Sequence, residues 1–216
     1  MKSVLIIGMG RFGKNLAKEM QRLGNDVMII DRDASLIADL APIFPDAQVA
    51  DCRSEAALRA LGVQNFDICF VTTAGDLGSA AVITALLKKM NAPRIVVKAS
   101  NNLEGDILRK VGADEVIQPE RRIAERLAVK YNTDNVFDFI ELTDGYALYE
   151  IPVLPAWVGK TLIETDVRRK YHLNIIALKR HDTLNPTPDA DVPFMDGDHI
   201  IVVGQRGDVE KVAAKA

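Results

Sequence analysis

Along the first half of the chain, short apolar runs alternate with stretches of helical spacing. Val4-Leu5-Ile6-Ile7 is a run of four apolar residues closed by Gly8, a pattern suited to a strand buried on both faces of a parallel sheet. From Arg11 onward Phe12, Leu16, Ala17, Met20 and Leu23 recur at helical spacing, and Gly24 can supply the left-handed residue that ends a helix. The next run, Val27-Met28-Ile29-Ile30, ends at Asp31. The same alternation predicts a helix from Ser35 to Leu40 that stops before Pro42 and Pro45, a strand at Ala47–Ala50, a helix from Glu55 to Leu61 closed by Gly62, and a strand at Ile68–Val71. A helix running to about Met90, a strand at Arg94–Lys98, a helix at Leu103–Val111 and a strand at Glu115–Ile117 complete the series. Such alternation predicts an α/β fold, a Rossmann-like doubly wound parallel sheet of six strands, with its ligand crevice at the carboxyl ends of the strands.

Pro119-Glu120 opens one more helix, with Ile123, Ala124, Leu127, Ala128 and Tyr131 on one stripe. Near Asp134-Asn135 the pattern changes. Val136–Leu142 and Ala147–Val153 read as strands joined by Thr143-Asp144-Gly145-Tyr146, a hairpin rather than a parallel crossover. A helical stretch at Thr161–Arg169, a strand at Asn174–Leu178, a Pro-rich loop at Asn185-Pro186-Thr187-Pro188, a strand at His199–Val203 and a helix after Gly207 follow. The expected organisation is a nucleotide-binding domain over 1–134 and a small α+β domain over 135–216.

Gly8, Gly10 and Gly13 match G-x-G-x-x-G: the first glycine makes the tight turn, the second admits a pyrophosphate to the backbone, and the third lets helix and strand pack closely. The helix that opens there presents unpaired N–H groups and a positive dipole end, an anion site. Asp31 stands where an acid that hydrogen-bonds a ribose hydroxyl is expected. It also disfavours a 2′-phosphate, although Arg32 beside it keeps that ligand in view.

Other strand ends carry further candidates. Asp51, followed by Cys52, could reach an adenine amino group or cap the next helix, a role for which Ser54 is equally suited. Thr72 and Thr73 read as loop lining, and Lys98 either neutralises phosphate or is solvated. Arg11 places a cation against a helix dipole, which suggests a bound anion unless the side chain swings into solvent. The helix from Leu77 is apolar nearly all round, so it is either sandwiched within its domain or forms a subunit contact, the latter being favoured. Glu120, read from its position alone, is ordinary helix-start chemistry.

Composition narrows the classes. Net charge is −3 over 216 residues, which gives no global reason to expect nucleic acid as a partner. No apolar run approaches a membrane span, and the first is too short for a signal peptide, so a cytoplasmic protein is expected. Cys52 and Cys69 lack metal-ligand spacing and read as small core residues; His172, His181 and His199 form no ligand pattern. Gly159-Lys160-Thr161 resembles the end of a P-loop but has Leu154 where a glycine is required.

Taken together, Gly8-Met9-Gly10-Arg11-Phe12-Gly13, Asp31, Val97-Lys98-Ala99, Gly112-Ala113-Asp114, Gln118-Pro119-Glu120 and Asp196-Gly197-Asp198-His199-Ile200-Ile201-Val202-Val203-Gly204 resemble the RCK family, cytoplasmic regulators of K⁺ conductance with a TrkA-N domain followed by a TrkA-C domain. The resemblance covers essentially the whole chain and is closer to the KtrA type than to the tandem TrkA type. It implies a non-catalytic gating subunit, peripheral to the membrane, that assembles as a homodimer and an octameric ring beneath an integral-membrane K⁺-translocating subunit of the TrkH/KtrB type. It implies ATP, ADP or NAD(H) at Gly8, Gly10, Arg11, Phe12, Gly13, Asp31, Arg32, Asp51, Cys52, Thr72, Thr73, Lys98 and Glu120. Arg11 would reach the terminal phosphate of ATP, and Lys98 and Glu120 would stand near the phosphates or near a cation, Mg²⁺ or Ca²⁺, at the dimer contact. In some members the second domain binds cyclic di-AMP, through positions that here are Arg168, Asn174, Thr187 and Pro188. Two other classes share parts of the pattern. An NAD-dependent oxidoreductase needs a placed acid or base that the second domain does not offer. An NAD(H)-binding redox sensor that binds DNA is disfavoured by the acidic balance and by a glycine turn starting at residue 8.

Overall fold

The computed structural model describes residues 1–73, 75–132, 138–143 and 145–215. The chain divides into two compact units, Met1–Glu120 and Arg121–Ala216. The boundary expected at Asp134/Asn135 lies outside the described residues, as do Ala74, Val136 and Asp144.

In the first unit, β1 (Ser3–Ile7), β2 (Asp26–Asp31), β3 (Asp46–Val49), β4 (Ile68–Val71), β5 (Ile95–Lys98) and β6 (Glu115–Ile117) form one parallel sheet in the order β3-β2-β1-β4-β5-β6. The order reverses between β2-β1 and β4, so the two halves of the sheet diverge at β1 and open a crevice beyond its carboxyl end. The helices α1 (Arg11–Arg22), α2 (Ala34–Leu40), α3 (Glu55–Leu61), α4 (Leu77–Lys89) and α5 (Asn102–Val111) connect the strands. Two apolar layers hold the sheet. Val4, Ile6, Ile29 and Phe70 pack into one with Ala17 and Phe44; Leu5, Ile7, Cys69, Val71 and Val97 pack into the other with Leu58. Alternate residues of each strand thus enter opposite layers, which is why the strands read as unbroken apolar runs.

Part of the wide apolar surface of α4 is used inside its own unit. The helix packs against α3, α5, β4 and β5, burying Ser79, Ala80, Ile83, Thr84 and Leu87, and leaves Val82 exposed. Cys52 and Cys69 are free thiols in the buried core.

From Pro119 the chain continues as α6 (Pro119–Asn132), and Val129 of that helix joins the core of the second unit. There β7 (Asp138–Thr143), β8 (Tyr146–Pro152), β9 (Asn174–Arg180), β10 (Thr183–Asn185) and β11 (His199–Gln205) form an antiparallel sheet in the order β10-β9-β11-β8-β7. Tyr149, Ile151, Ile200 and Val202 face a core completed by Trp157 and Phe194.

Two expectations are corrected here. The helix predicted over Thr161–Arg169 is broken into α7 (Leu162–Thr165) and α8 (Val167–Tyr171) at Asp166, which is left-handed with φ +47. Thr165 Oγ1 donates to the carbonyls of Thr161 and Leu162, a local bond that competes with helix continuation. Asn185 belongs to β10 rather than to a loop, because His181 and Asp182 both take positive φ and turn β9 back on itself. After β11 the chain ends in α9 (Arg206–Ala213).

Candidate functional site

A cavity of about 370 Å³ opens at the carboxyl ends of β1 to β4, lined by Ile7, Gly8, Gly10, Asp31, Thr72 and Thr73 on one stretch and by Arg32, Ala50, Asp51, Cys52 and Arg53 on another. Leu36 and Ile83 supply aliphatic wall, and Asp33, Asp76 and Ser79 complete the rim. Sequence reasoning had named eight of these positions as binding residues: Gly8, Gly10, Asp31, Arg32, Asp51, Cys52, Thr72 and Thr73.

The glycine turn is held by bonds from β2 and from the residue that follows β4. Gly8 donates to the Ile30 carbonyl at 2.8 Å, and Thr72 Oγ1 donates back to the Gly8 carbonyl at 2.6 Å. Thr72 is therefore a buried strut of the turn. Gly13 faces the same carbonyl from α1: a Cβ there would stand 2.1 Å from the Gly8 oxygen and 2.7 Å from Thr72 Oγ1. Gly10, at the N-cap of α1, has nothing of the protein within 4 Å of a built Cβ, so the backbone is open to the cavity at that point. Asp31 is already engaged, Oδ2 accepting the Met9 N–H at 2.6 Å and Oδ1 the Asp33 N–H at 3.0 Å.

Across the cavity, Asp51 is gripped by Arg53. Arg53 Nε lies 2.9 Å from Oδ1, its Nη2 lies 2.6 Å from Oδ2, and its backbone N–H donates to Oδ1 at 3.0 Å. These bonds hold the Asp51 carboxyl down at about 2. The helix-capping alternative for Asp51 therefore fails, and Ser54 makes no side-chain cap either. Burial, with the Asp51 and Asp31 charges nearby, pushes the Cys52 thiol up to about 12, so it is an inert wall.

The remaining candidates lie outside this lining. Arg11 is exposed at the first position of α1 and makes no ion pair with a described residue. Lys98, at the end of β5, is largely buried, pairs with Glu120 and lies 5.7 Å from the Phe12 ring centre. Its partner's carboxyl is held below the usual range by that bond. A second opening, lined by Thr73, Gly75, Asp76, Lys98, Ser100 and Glu104, has a volume of only about 10 Å³. Thr73 borders both spaces, and its Oγ1 is buried with no hydrogen-bond partner among the described residues, an orphan that a ligand oxygen would satisfy.

In the second unit Arg168, Asn174 and Thr187 are exposed and Pro188 is half-buried; they stand on α8, at the start of β9 and in the segment after β10. A cavity of about 260 Å³ in this unit is lined by Lys179–Asp182 and Asp196–His199, and by none of those four. No group of described His, Cys, Asp and Glu residues could hold a metal ion, and no described helix is long and apolar enough to cross a membrane. Sequence reasoning missed Arg53. Its place two residues after a strand-end aspartate, within reach of a local ion pair, was the available signal.

Strand order, glycine turn and strand-end acid define a Rossmann-like domain carrying a small antiparallel companion. The chain belongs to the family built from TrkA-N and TrkA-C domains: the TrkA-N domain model matches residues 4–119 and the TrkA-C domain model residues 146–216. It is 34% identical to Ktr system potassium uptake protein C of Bacillus subtilis over 97% of this chain and 95% of that one, and 30% identical to Ktr system potassium uptake protein A of the same organism over the same shares. The structure is similar to the GsuK RCK domain, with a TM-score of 0.70 at 18% identity over 99% of this chain and 47% of that one. A GsuK channel bound to NAD gives a TM-score of 0.54 at 24% identity over the whole chain. The chain thus spans less than half of those two solved chains.

Proposed function

We propose that this chain is the regulatory subunit of a Ktr-type potassium uptake system, in which an adenine mononucleotide in the β1–β4 cavity biases a cytoplasmic homo-oligomeric ring acting on a K⁺-translocating membrane subunit. The membership of a family that includes Ktr potassium uptake proteins, matched over nearly full length, supports the system. One observation carries the choice of ligand. A dinucleotide on this fold needs two half-sites about the glycine turn, and here the side beyond Thr73 has about 10 Å³ against about 370 Å³ on the side of Asp31 and Asp51. Among solved fold relatives, GsuK structures carry NAD and ADP.

Arg11 supplies the distinction between ATP and ADP. An unpaired guanidinium at the start of α1 opposes the helix dipole and is relieved by one more phosphate. Gating then follows as a population shift, since a ligand biases two ring geometries only by its differential affinity for them. Thermal stability of the purified protein against ATP, ADP, NAD⁺, NADH and cyclic di-AMP tests the ligand, because a ligand at 100 times its Kd adds ~2.7 kcal/mol. Stabilisation by ATP and ADP, with Arg11→Ala erasing the ATP preference, is the expected result. Stabilisation by NAD(H) alone overturns the ligand assignment. Equal K⁺ flux through the reconstituted system in ATP and in ADP overturns the gating step.

A further inference from the structure

The far wall of the cavity carries a polar pair that the glycine turn does not explain. Asp51 and Arg53 both line it, joined through Nε and Nη2, while Ala50, Cys52, Leu36 and Ile83 give the cavity apolar wall. A flat aromatic ring is held by apolar walls on its faces and is identified by hydrogen bonds at its edge. The edge offered here is specific. A carboxylate accepts only; a guanidinium donates only, and with Nε and one Nη2 proton spent on Asp51 it retains donors on Nη1 and Nη2. The pair therefore presents an acceptor beside a donor.

Resting on the nucleotide reading above, we propose that Arg53, clamped on Asp51, selects the base of that nucleotide: Asp51 accepts from the exocyclic amino group of adenine and Arg53 donates to the adjacent ring nitrogen. Adenine shows this donor–acceptor order on both edges that carry the amino group, at N1 and at N7. A 6-oxopurine replaces the amino donor with an oxygen acceptor and sets it against the Asp51 carboxylate. The held-down ionisation of Asp51 keeps that side of the pair acceptor-only through the neutral range. Apolar walls alone do not separate adenine from hypoxanthine, since the two rings have nearly the same outline.

Calorimetric titration of ADP, IDP, 7-deaza-ADP and 1-deaza-ADP into the wild-type protein, Arg53→Ala and Arg53→Gln tests the assignment. Arg53 is half-exposed at the rim, so both variants are expected to fold, and a melting curve of each verifies it. The wild type prefers ADP to IDP by ~10-fold or more, the discrimination of one good bidentate pair. One of the two deaza analogues binds it more weakly than ADP, which identifies the nitrogen. Arg53→Ala removes that deaza penalty, and Arg53→Gln, which keeps one donor, restores part of it. An ADP-to-IDP ratio and a deaza penalty unchanged in Arg53→Ala overturn the role of Arg53 and leave the nucleotide reading intact. Absence of binding by every nucleotide to the wild type overturns both.

Discussion

Oδ2 of Asp31 lies 2.6 Å from the backbone nitrogen of Met9, joining the end of β2 to the middle of the glycine turn across 22 residues of sequence. Met9 is fully buried, so its N–H has no water to turn to, and the carboxylate is its partner in the fold. The residue expected to face a ribose thus also builds the turn. Asp31→Ala is expected to lower stability by ~1.5–3 kcal/mol, the range for hydrogen bonds to a charged group, and to abolish nucleotide binding. Asp31→Asn, which keeps one acceptor oxygen, is expected to recover part of the stability. Urea unfolding midpoints report the first effect and titration the second; an unchanged midpoint in Asp31→Ala would show that the turn stands without it.

Two glycines of one motif separate packing from ligand access. Gly13→Ala brings a methyl to 2.1 Å from the Gly8 carbonyl oxygen, and neither α1 nor β1 can yield without disturbing the turn. The usual helix gain of alanine over glycine is outweighed, and a net loss of about 3 kcal/mol is expected. Gly10→Ala meets nothing within 4 Å at φ −65, a conformation alanine adopts freely. Its stability should stay within ~1 kcal/mol of wild type while its methyl obstructs a phosphate in the cavity. Loss of stability in both variants, or of binding in neither, would contradict this division of labour.

The parallel sheet was legible because each of its strands is a short apolar run bounded by glycine or acid, and because helical spacing fills the gaps. Glu55–Leu61, Ile68–Val71 and Glu115–Ile117 coincide with their expected limits. The second unit was less so. The break at Asp166 and the reversal at His181-Asp182 use left-handed residues other than glycine, which leave no punctuation in the sequence. The same distinction applies to the site. Gly8, Gly10 and Asp31 follow from a local spacing, whereas the bond from Thr72 Oγ1 to Gly8, 64 residues away, is made by the topology. Thr72 was therefore read as lining, which it is, while its second role as a strut of the turn left no local signal.

Asp198, in the second unit, is a nearly fully buried carboxylate with a pH signature. Burial alone would raise its pKa, but the Arg180 guanidinium at 2.8 and 2.7 Å and the Met195 N–H more than offset burial and hold it below the ordinary aspartate range. A group depressed in the folded state contributes stability above its unfolded pKa, and that contribution disappears as pH falls through the folded value. Stability of this unit should thus be insensitive to Asp198 from neutrality down to about pH 4 and then decline. Asp198→Asn is expected to cost about 2 kcal/mol at pH 7, less than the 3–5 for a fully buried pair because Arg180 is partly open to solvent. It should also flatten the acid limb of the stability curve, which unfolding at pH 3 to 7 would measure. An unaltered limb would assign acid sensitivity to other carboxylates.

The Lys98–Glu120 pair joins a largely buried cation to a mostly exposed acid beside Phe12 of the glycine turn. Lys98 is held under the ring of Phe12, whereas Glu120 is free to leave for solvent, so the bond adds little to stability and much to where charge sits. On the proposed nucleotide reading, Glu120→Gln removes one negative charge near the phosphates, whose distance from it is taken as roughly 5–8 Å. At that distance in a watery dielectric the charge is worth ~0.5–0.8 kcal/mol, about threefold in the affinity of a polyphosphate. Without divalent ions the variant is therefore expected to bind ATP more tightly than the wild type, with its melting temperature almost unchanged. With Mg²⁺ present the sign separates two roles. If Glu120 only neutralises Lys98, the gain persists; if Glu120 also holds a cation that bridges to the nucleotide, the variant loses affinity as Mg²⁺ is raised. Titration of ATP in EDTA and in Mg²⁺ decides between them, and equal affinities of wild type and variant in EDTA would mean that the pair lies beyond the electrostatic reach of the phosphates.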